Sequence, residues 1–249
     1  MDAGLFPSPD PTAIAGLSAA RAAVLARIVS ACARAGRAPG SVTLVAVSKT
    51  VSADRLRAAV AAGHEVLGEN RVQEAAAKVP LVPGARWHLV GPLQANKARR
   101  AVELFDCLEA VDSVALAGRL DRVSAEVRPG RPLPILLEVN VDADPDKAGF
   151  PPASVAEALP GLLALGNLDL RGLMTIGRLA ASPDEARSTF RRLRELATQL
   201  RAAHPGLGHE LSMGMSDDFE LAIEEGATIV RVGRALFGER PLHPAAAPR

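Results

Sequence analysis

The residues that could do chemistry fall at the ends of apolar runs. Lys49 follows Val42-Thr43-Leu44-Val45-Ala46-Val47 and Ser48, so it either opens a solvated loop, as most lysines do, or sits at the mouth of the core. At the mouth, desolvation would lower its pKa and leave the neutral, nucleophilic amine that Schiff-base chemistry requires. A second run ends in Ser212-Met213-Gly214-Met215-Ser216-Asp217. Ser216 and Asp217 are placed to cap a helix starting near Asp218, which would turn free backbone N–H groups toward an anion. Gly233 follows Arg231-Val232 and permits close backbone approach, a second candidate anion site. Either loop alone reads equally well as ordinary capping or a tight turn; the two together favour the anion. A lysine on one strand end and a phosphate on two others describe a phosphorylated aldehyde held as an imine.

Such groups need a scaffold that brings distant strand ends together. Strands are expected at 42–47, 65–67, 87–90, 107–111, 135–140, 168–172, 210–212 and 228–232, with helical patterns between them. The clearest helix runs from Pro183 to Ala203, where Phe190, Leu193, Leu196, Ala197 and Leu200 form an apolar stripe away from Arg191, Arg192 and Arg194. Another, from about Pro11 to Ala35, precedes the first strand, and Gly36 is placed to end it. Eight strands alternating with helices in 249 residues predict an α/β fold, a single (β/α)8 TIM barrel with an extra N-terminal helix. An open doubly wound sheet is the alternative, although no GxGxxG follows the first strand. The barrel is expected over 11–240, with a flexible N-terminus (1–10) and a flexible C-terminal tail (241–249). In a barrel the polar strand ends gather on one face, and in such folds the loops after strands seven and eight are the usual phosphate position.

Composition narrows the class. Lys plus Arg number 29 against 28 Asp plus Glu, a net charge of +1, which gives no electrostatic reason to expect nucleic acid or an anionic membrane. Cys32 and Cys107, the two cysteines, stand far apart with no CxxC and no neighbouring His, so they read as buried small hydrophobes rather than a disulfide or zinc site. No metal site is expected. No uninterrupted apolar run reaches about 18 residues, and the N-terminus lacks a secretion signal; a soluble, cytoplasmic protein is expected. The chain contains no tyrosine.

The motifs LVAVSKT (44–50), GENRVQE (68–74), WHLVGPLQANK (87–97), EVNVDADPDKAGF (138–150), GLMTIG (172–177) and LSMGMSDDFELAIEEGATIVRVGRALFGER (211–240) together resemble the pyridoxal phosphate homeostasis proteins, a pyridoxal phosphate-binding family. The resemblance spans about residues 20 to 240. It implies a barrel like the N-terminal domain of alanine racemase, with pyridoxal 5'-phosphate as covalently bound cofactor. Lys49 matches the family's Schiff-base lysine. Ser216 and the Gly233 backbone would hold the phosphate, with Ser212 a helper, and Arg231 would face the pyridine nitrogen. Asn70 and His88 would line the pocket, though His88 beside Trp87 reads equally as a core histidine. Lys147 is either a second amine near the entrance or a solvated loop lysine. Many relatives have Tyr where this chain has Arg71, and Thr where it has Arg234; the second difference removes a hydroxyl that could contact phosphate.

Two functions follow from the resemblance. An arginine at the ring nitrogen keeps that nitrogen unprotonated and weakens the ring as an electron sink. Without a tyrosine base, the expectation is a non-catalytic protein of intracellular pyridoxal phosphate homeostasis, monomeric, buffering the cofactor or delivering it to dependent apo-enzymes. The alternative is a pyridoxal phosphate-dependent amino-acid racemase or decarboxylase using Lys49 and His88 as bases. From the residues alone, a lysine-dependent aldolase acting on a phosphorylated sugar is a third possibility.

Overall fold

The computed structural model describes residues 7–177 and 182–238. The expected C-terminal tail and most of the expected flexible N-terminus lie outside these residues. Among them, eight parallel strands close in sequence order, β1 pairing with both β2 and β8. The strands are β1 (Thr43–Val47), β2 (Val66–Glu69), β3 (Arg86–Leu89), β4 (Cys107–Val111), β5 (Leu133–Glu138), β6 (Leu168–Met174), β7 (Glu210–Ser212) and β8 (Ile229–Val232). The helices are α1 (Pro11–Arg34), α2 (Ala53–Ala61), α3 (Val72–Lys78), α4 (Ala98–Leu104), α5 (Val114–Val127), α6 (Pro152–Leu163), α7 (Pro183–Ala203), α8 (Phe219–Glu224) and α9 (Arg234–Phe237). The closed ladder decides for the barrel over the open sheet.

Two hydrophobic layers follow from the strand alternation. Val45, Val66, Val90, Ala110, Leu136, Met174 and Ile229 fill the barrel interior. A larger cluster lies between the strands and the helix ring and includes Ala46, Leu67, Leu89 and Leu137 together with Leu56, Leu120, Phe190 and Phe219. Successive residues on a strand therefore serve different layers. The stripe expected on α7 packs as read, with Phe190, Leu193, Ala197 and Leu200 buried. Its arginines are not merely solvated: Arg192 pairs with Asp142 at 2.5 Å and Arg194 with Glu225 at 2.8 Å.

α1 differs from expectation in one respect. An 18-residue stretch within its 24 residues has a mean hydropathy of 1.5, so the helix is long and apolar enough to cross a membrane. Ser18, Arg21, Arg27 and Ser30 interrupt the run and hide it from a search for unbroken apolar stretches. In the structure its Leu17, Val24, Ile28, Ala31 and Cys32 are buried. Arg27 grips Glu220 through two nitrogens at 2.8 and 2.7 Å, and Arg34 pairs with Glu224 at 2.6 Å. The helix packs against α2, α8 and α9 and so straddles the junction where the first and last units of the barrel meet. It ends as expected: Gly36 takes φ +65°, and the Arg37 N–H returns to the Cys32 carbonyl at 2.8 Å. Cys32 and Cys107 are both buried and unpaired.

Candidate functional site

Strand parity brings most of the expected residues to one end of the barrel. Val45 and Ile229 belong to the interior layer; two residues on, Val47 and Arg231 continue the same face, and Lys49 and Gly233 come next at the rim. Lys49, Thr50, Gly233 and Arg234 line one cavity of about 350 Å³, whose wall also includes Val47, Ser52 and Arg55. The neighbouring loops are tied together there. The Gly233 N–H donates to Ser216 Oγ at 3.4 Å, and Arg234 forms an ion pair with Asp217.

The expected capping by Ser216 and Asp217 is not what forms. Asp218 occupies the cap position of α8, and its Oδ1 accepts from the Met215 N–H at 2.6 Å, closing the loop on itself. Tight geometry forces this path: Gly214 has φ +91°, and a Cβ there would stand 2.5 Å from the Ala222 Cβ and 2.9 Å from the Phe219 Cα. The loop can therefore turn only with glycine at this position.

Beneath the rim lies a buried polar chain. His88 Nδ1 and Glu109 Oε1 are 2.6 Å apart, and the other carboxylate oxygen of Glu109 accepts from Ser212 Oγ at 2.6 Å. Arg231 donates from Nη1 to the same Ser212 oxygen and from Nη2 to the Thr175 carbonyl at 2.8 Å. Glu109 and Ser212 are fully buried, and His88 and Arg231 nearly so. Burial pushes the Glu109 carboxyl up, but hydrogen bonds from His88 and Ser212 and the charges of His88 and Arg231 outweigh it and leave Glu109 below the ordinary glutamate range. Burial lowers the Arg231 pKa, opposed by Glu109, Glu138 and Asp218. Glu138 lies two residues past the interior Leu136, on the same face and 6% exposed. Burial and the nearby Asp112 raise its pKa, with Arg231 and Lys147 acting against them.

The structure thus joins His88, Ser212 and Arg231 through Glu109, and joins Lys49, Ser216 and Gly233 at the rim. Asn70 stands apart from both groups in the described contacts; it lines an adjacent cleft of about 820 Å³ with Arg71, Gln94 and Lys97. The single proton of the Ser212 hydroxyl is committed to Glu109, which leaves none for a phosphate oxygen. Lys147, partly buried, donates from its amine to the Ile176 and Gly177 carbonyls after β6 and so is not a free loop lysine. Sequence reasoning missed Glu109 and Glu138, and also Glu69, a fully buried carboxylate outside the interior layer.

Comparison with known proteins places this geometry in a family. Residues 22–241 match the family described as alanine racemase, N-terminal domain. The chain is 44% identical over 228 residues to the pyridoxal phosphate homeostasis protein of Pseudomonas aeruginosa, covering 88% of this chain and 94% of that one. It is 46% identical to PipY of Synechococcus elongatus, solved with PLP bound, with a TM-score of 0.76 over 85% of this chain and 100% of that chain. The alanine racemase of Streptomyces coelicolor shares the fold at 24% identity and a TM-score of 0.69, over 92% of this chain and only 59% of the racemase. The chain belongs to the pyridoxal phosphate homeostasis protein family, on a barrel of the alanine racemase N-terminal-domain type.

Proposed function

We propose that this barrel binds pyridoxal 5'-phosphate covalently through Lys49 and acts in cytoplasmic homeostasis of that cofactor, as a monomer that buffers it or passes it to dependent apo-enzymes without catalytic turnover. The naming of the relatives and the PLP in PipY support the cofactor. The residues present fit it. The cavity shared by Lys49 and Gly233 has the volume of a small-ligand site. Beside it, the Ser216 hydroxyl accepts from Gly233 but has no acceptor of its own among the described residues, so its proton is available to an anion. When bound, the cofactor supplies an electrophilic aldehyde carbon and a conjugated pyridine ring.

The observation that carries the non-catalytic reading is the set of partners around Arg231. A guanidinium faced by ionised Glu109 and fastened to Ser212 and Thr175 stays charged. It can present only N–H donors to a ring nitrogen and has no proton to give, so that nitrogen is left unprotonated. No tyrosine is present to act as a second base. One observation favours the alternative of a racemase or decarboxylase: the Glu109 carboxylate beside His88 Nδ1 is the arrangement that orients a histidine base.

The visible spectrum and turnover decide together. The purified protein should take up pyridoxal phosphate with a yellow absorption that Lys49→Ala abolishes. A colourless protein that takes up none refutes the cofactor reading. Turnover of L- or D-amino acids at about 1 per second or faster refutes the carrier reading and establishes the enzyme.

A further inference from the structure

Behind β1, on the side away from the barrel interior, the residue before Lys49 is held from three directions. The Ser48 N–H donates to the Gly68 carbonyl at 2.8 Å, and its hydroxyl lies 3.1 Å from that carbonyl and 2.7 Å from Glu69 Oε1. Lys78, at the end of α3, donates from Nζ to the Ser48 carbonyl at 2.9 Å and to the same Glu69 oxygen at 2.7 Å. Glu74, one turn earlier on α3, lies 3.7 Å from Lys78, and its carboxylate is 3.4 Å from the Thr50 N–H. Ser48 and Glu69 are completely buried, and the Lys78 side chain is 13% exposed.

This is a costly arrangement for stability alone. Glu69 Oε2 is buried with no hydrogen-bond partner, and burial raises the pKa of the carboxyl despite Lys78 and Ser48. A buried ion pair of this kind is often replaceable by packed apolar side chains without loss of stability. What apolar residues could not do is hold a carbonyl. The backbone at Thr50, with φ +66°, is in a conformation unfavourable for a β-branched residue, so the segment needs an external hold.

We infer that Lys78, seated by Glu69, is a positioning residue that fixes the Ser48 carbonyl and thereby sets where the Lys49 amine is presented. This rests on the reading of Lys49 as the cofactor-binding amine. The device acts from outside the barrel wall, through the backbone.

Three variants test it: Lys78→Met, Lys78→Arg, and the double variant Glu69→Gln/Lys78→Met, which removes both charges together so that no unpaired buried ion is left to unfold the barrel. The Val51 N–H donates to the same Ser48 carbonyl at 3.0 Å, so amide hydrogen exchange of the cofactor-free protein should rise at Ser48 and Val51 in Lys78→Met and in the double variant. Reductive trapping of pyridoxal phosphate on Lys49, followed by peptide mass mapping, should slow by about tenfold or more in both, as expected when a reacting group is displaced. Lys78→Arg should restore most of the rate. The double variant should recover thermal stability without recovering trapping. If trapping instead returns with stability, or exchange at Ser48 and Val51 is unchanged, the positioning role is overturned. A wild-type protein whose Lys49 traps no pyridoxal phosphate refutes the functional reading, and the exchange measurement then decides separately whether Lys78 holds Ser48.

Discussion

Substituting Glu109 by Gln keeps the shape of the side chain and removes the charge that organises the barrel interior. The carboxylate now accepts from Ser212 and contacts His88, while its charge faces Arg231. Glutamine retains one acceptor and turns an N–H2 group on the other partner, and Arg231 loses its principal counter-charge in a site with almost no solvent. Removing one member of a buried ion pair typically costs about 3–5 kcal/mol; because Glu138 and Asp218 also face Arg231, the lower end, ~3 kcal/mol, is expected. At roughly 2–4 °C per kcal/mol for a chain of this size, the melting temperature at pH 7 should fall by roughly 6–12 °C. The pH dependence has a fixed sign. A carboxyl held below its ordinary value contributes stability above that value, about 4.5, and loses it as pH falls through the folded-state value. The gap between wild type and Glu109→Gln should therefore be widest at neutral pH and narrow in acid. Circular-dichroism melts of both proteins from pH 7 downward read this directly. A shift under about 2 °C at pH 7, or a gap that widens in acid, would show that Glu109 does not hold the charge assigned to it.

Glu138 should behave oppositely, because burial raises its pKa: its favourable contribution is complete below the ordinary glutamate value and is lost as pH rises through the folded value. Glu138→Gln should accordingly gain about 1 kcal/mol at pH 7 relative to wild type and little at pH 4, measured from urea midpoints at the two values. Gly214→Ala should cost about 2–4 kcal/mol, since the new Cβ meets Ala222 and Phe219 at a backbone angle suited to glycine; a urea midpoint unchanged within error would contradict the loop geometry. Cys107 is buried, and its thiol pKa is pushed well up by that burial. A thiol reagent should label Cys32 and Cys107 only as fast as the protein unfolds, with labelling in urea as the positive control.

The strand ends were legible because each apolar run is short and stops at a polar or glycine residue, which is why Lys49, Arg231 and Gly233 could be picked out before any geometry was known. The interior partners were not. Cys107-Leu108-Glu109-Ala110-Val111 reads as an ordinary buried strand, and the register shift between Leu108 and Val111 breaks the alternation from which an inward Glu109 could have been inferred. The family resemblance implies Ser212 as a helper in holding the phosphate; only the distance to Glu109 shows where its proton goes. Glu69 and Lys78 meet across a strand-to-helix connection, a contact set by how α3 packs on β2 and by no local pattern. The membrane-length character of α1 was missed for a simpler reason: interrupted hydropathy averages high even when no unbroken run exists.

The position of α1 has a consequence for how this protein is made. The first helix is held by Arg27 and Arg34 to Glu220 and Glu224 on α8, and Arg37 donates to the Ile223 and Ala227 carbonyls at 2.8 Å. Those partners leave the ribosome long after the residues that wait for them. Lys49 is likewise synthesised well before Arg231 and Gly233, and β1 has no β8 to pair with until Ile229–Val232 have been made. Contacts this distant in sequence are expected to form late and slowly. If Lys49 is the cofactor-binding amine proposed above, a nascent chain would carry it without a pocket around it, and the capacity to hold an aldehyde would arise together with the closing of the barrel, not before it.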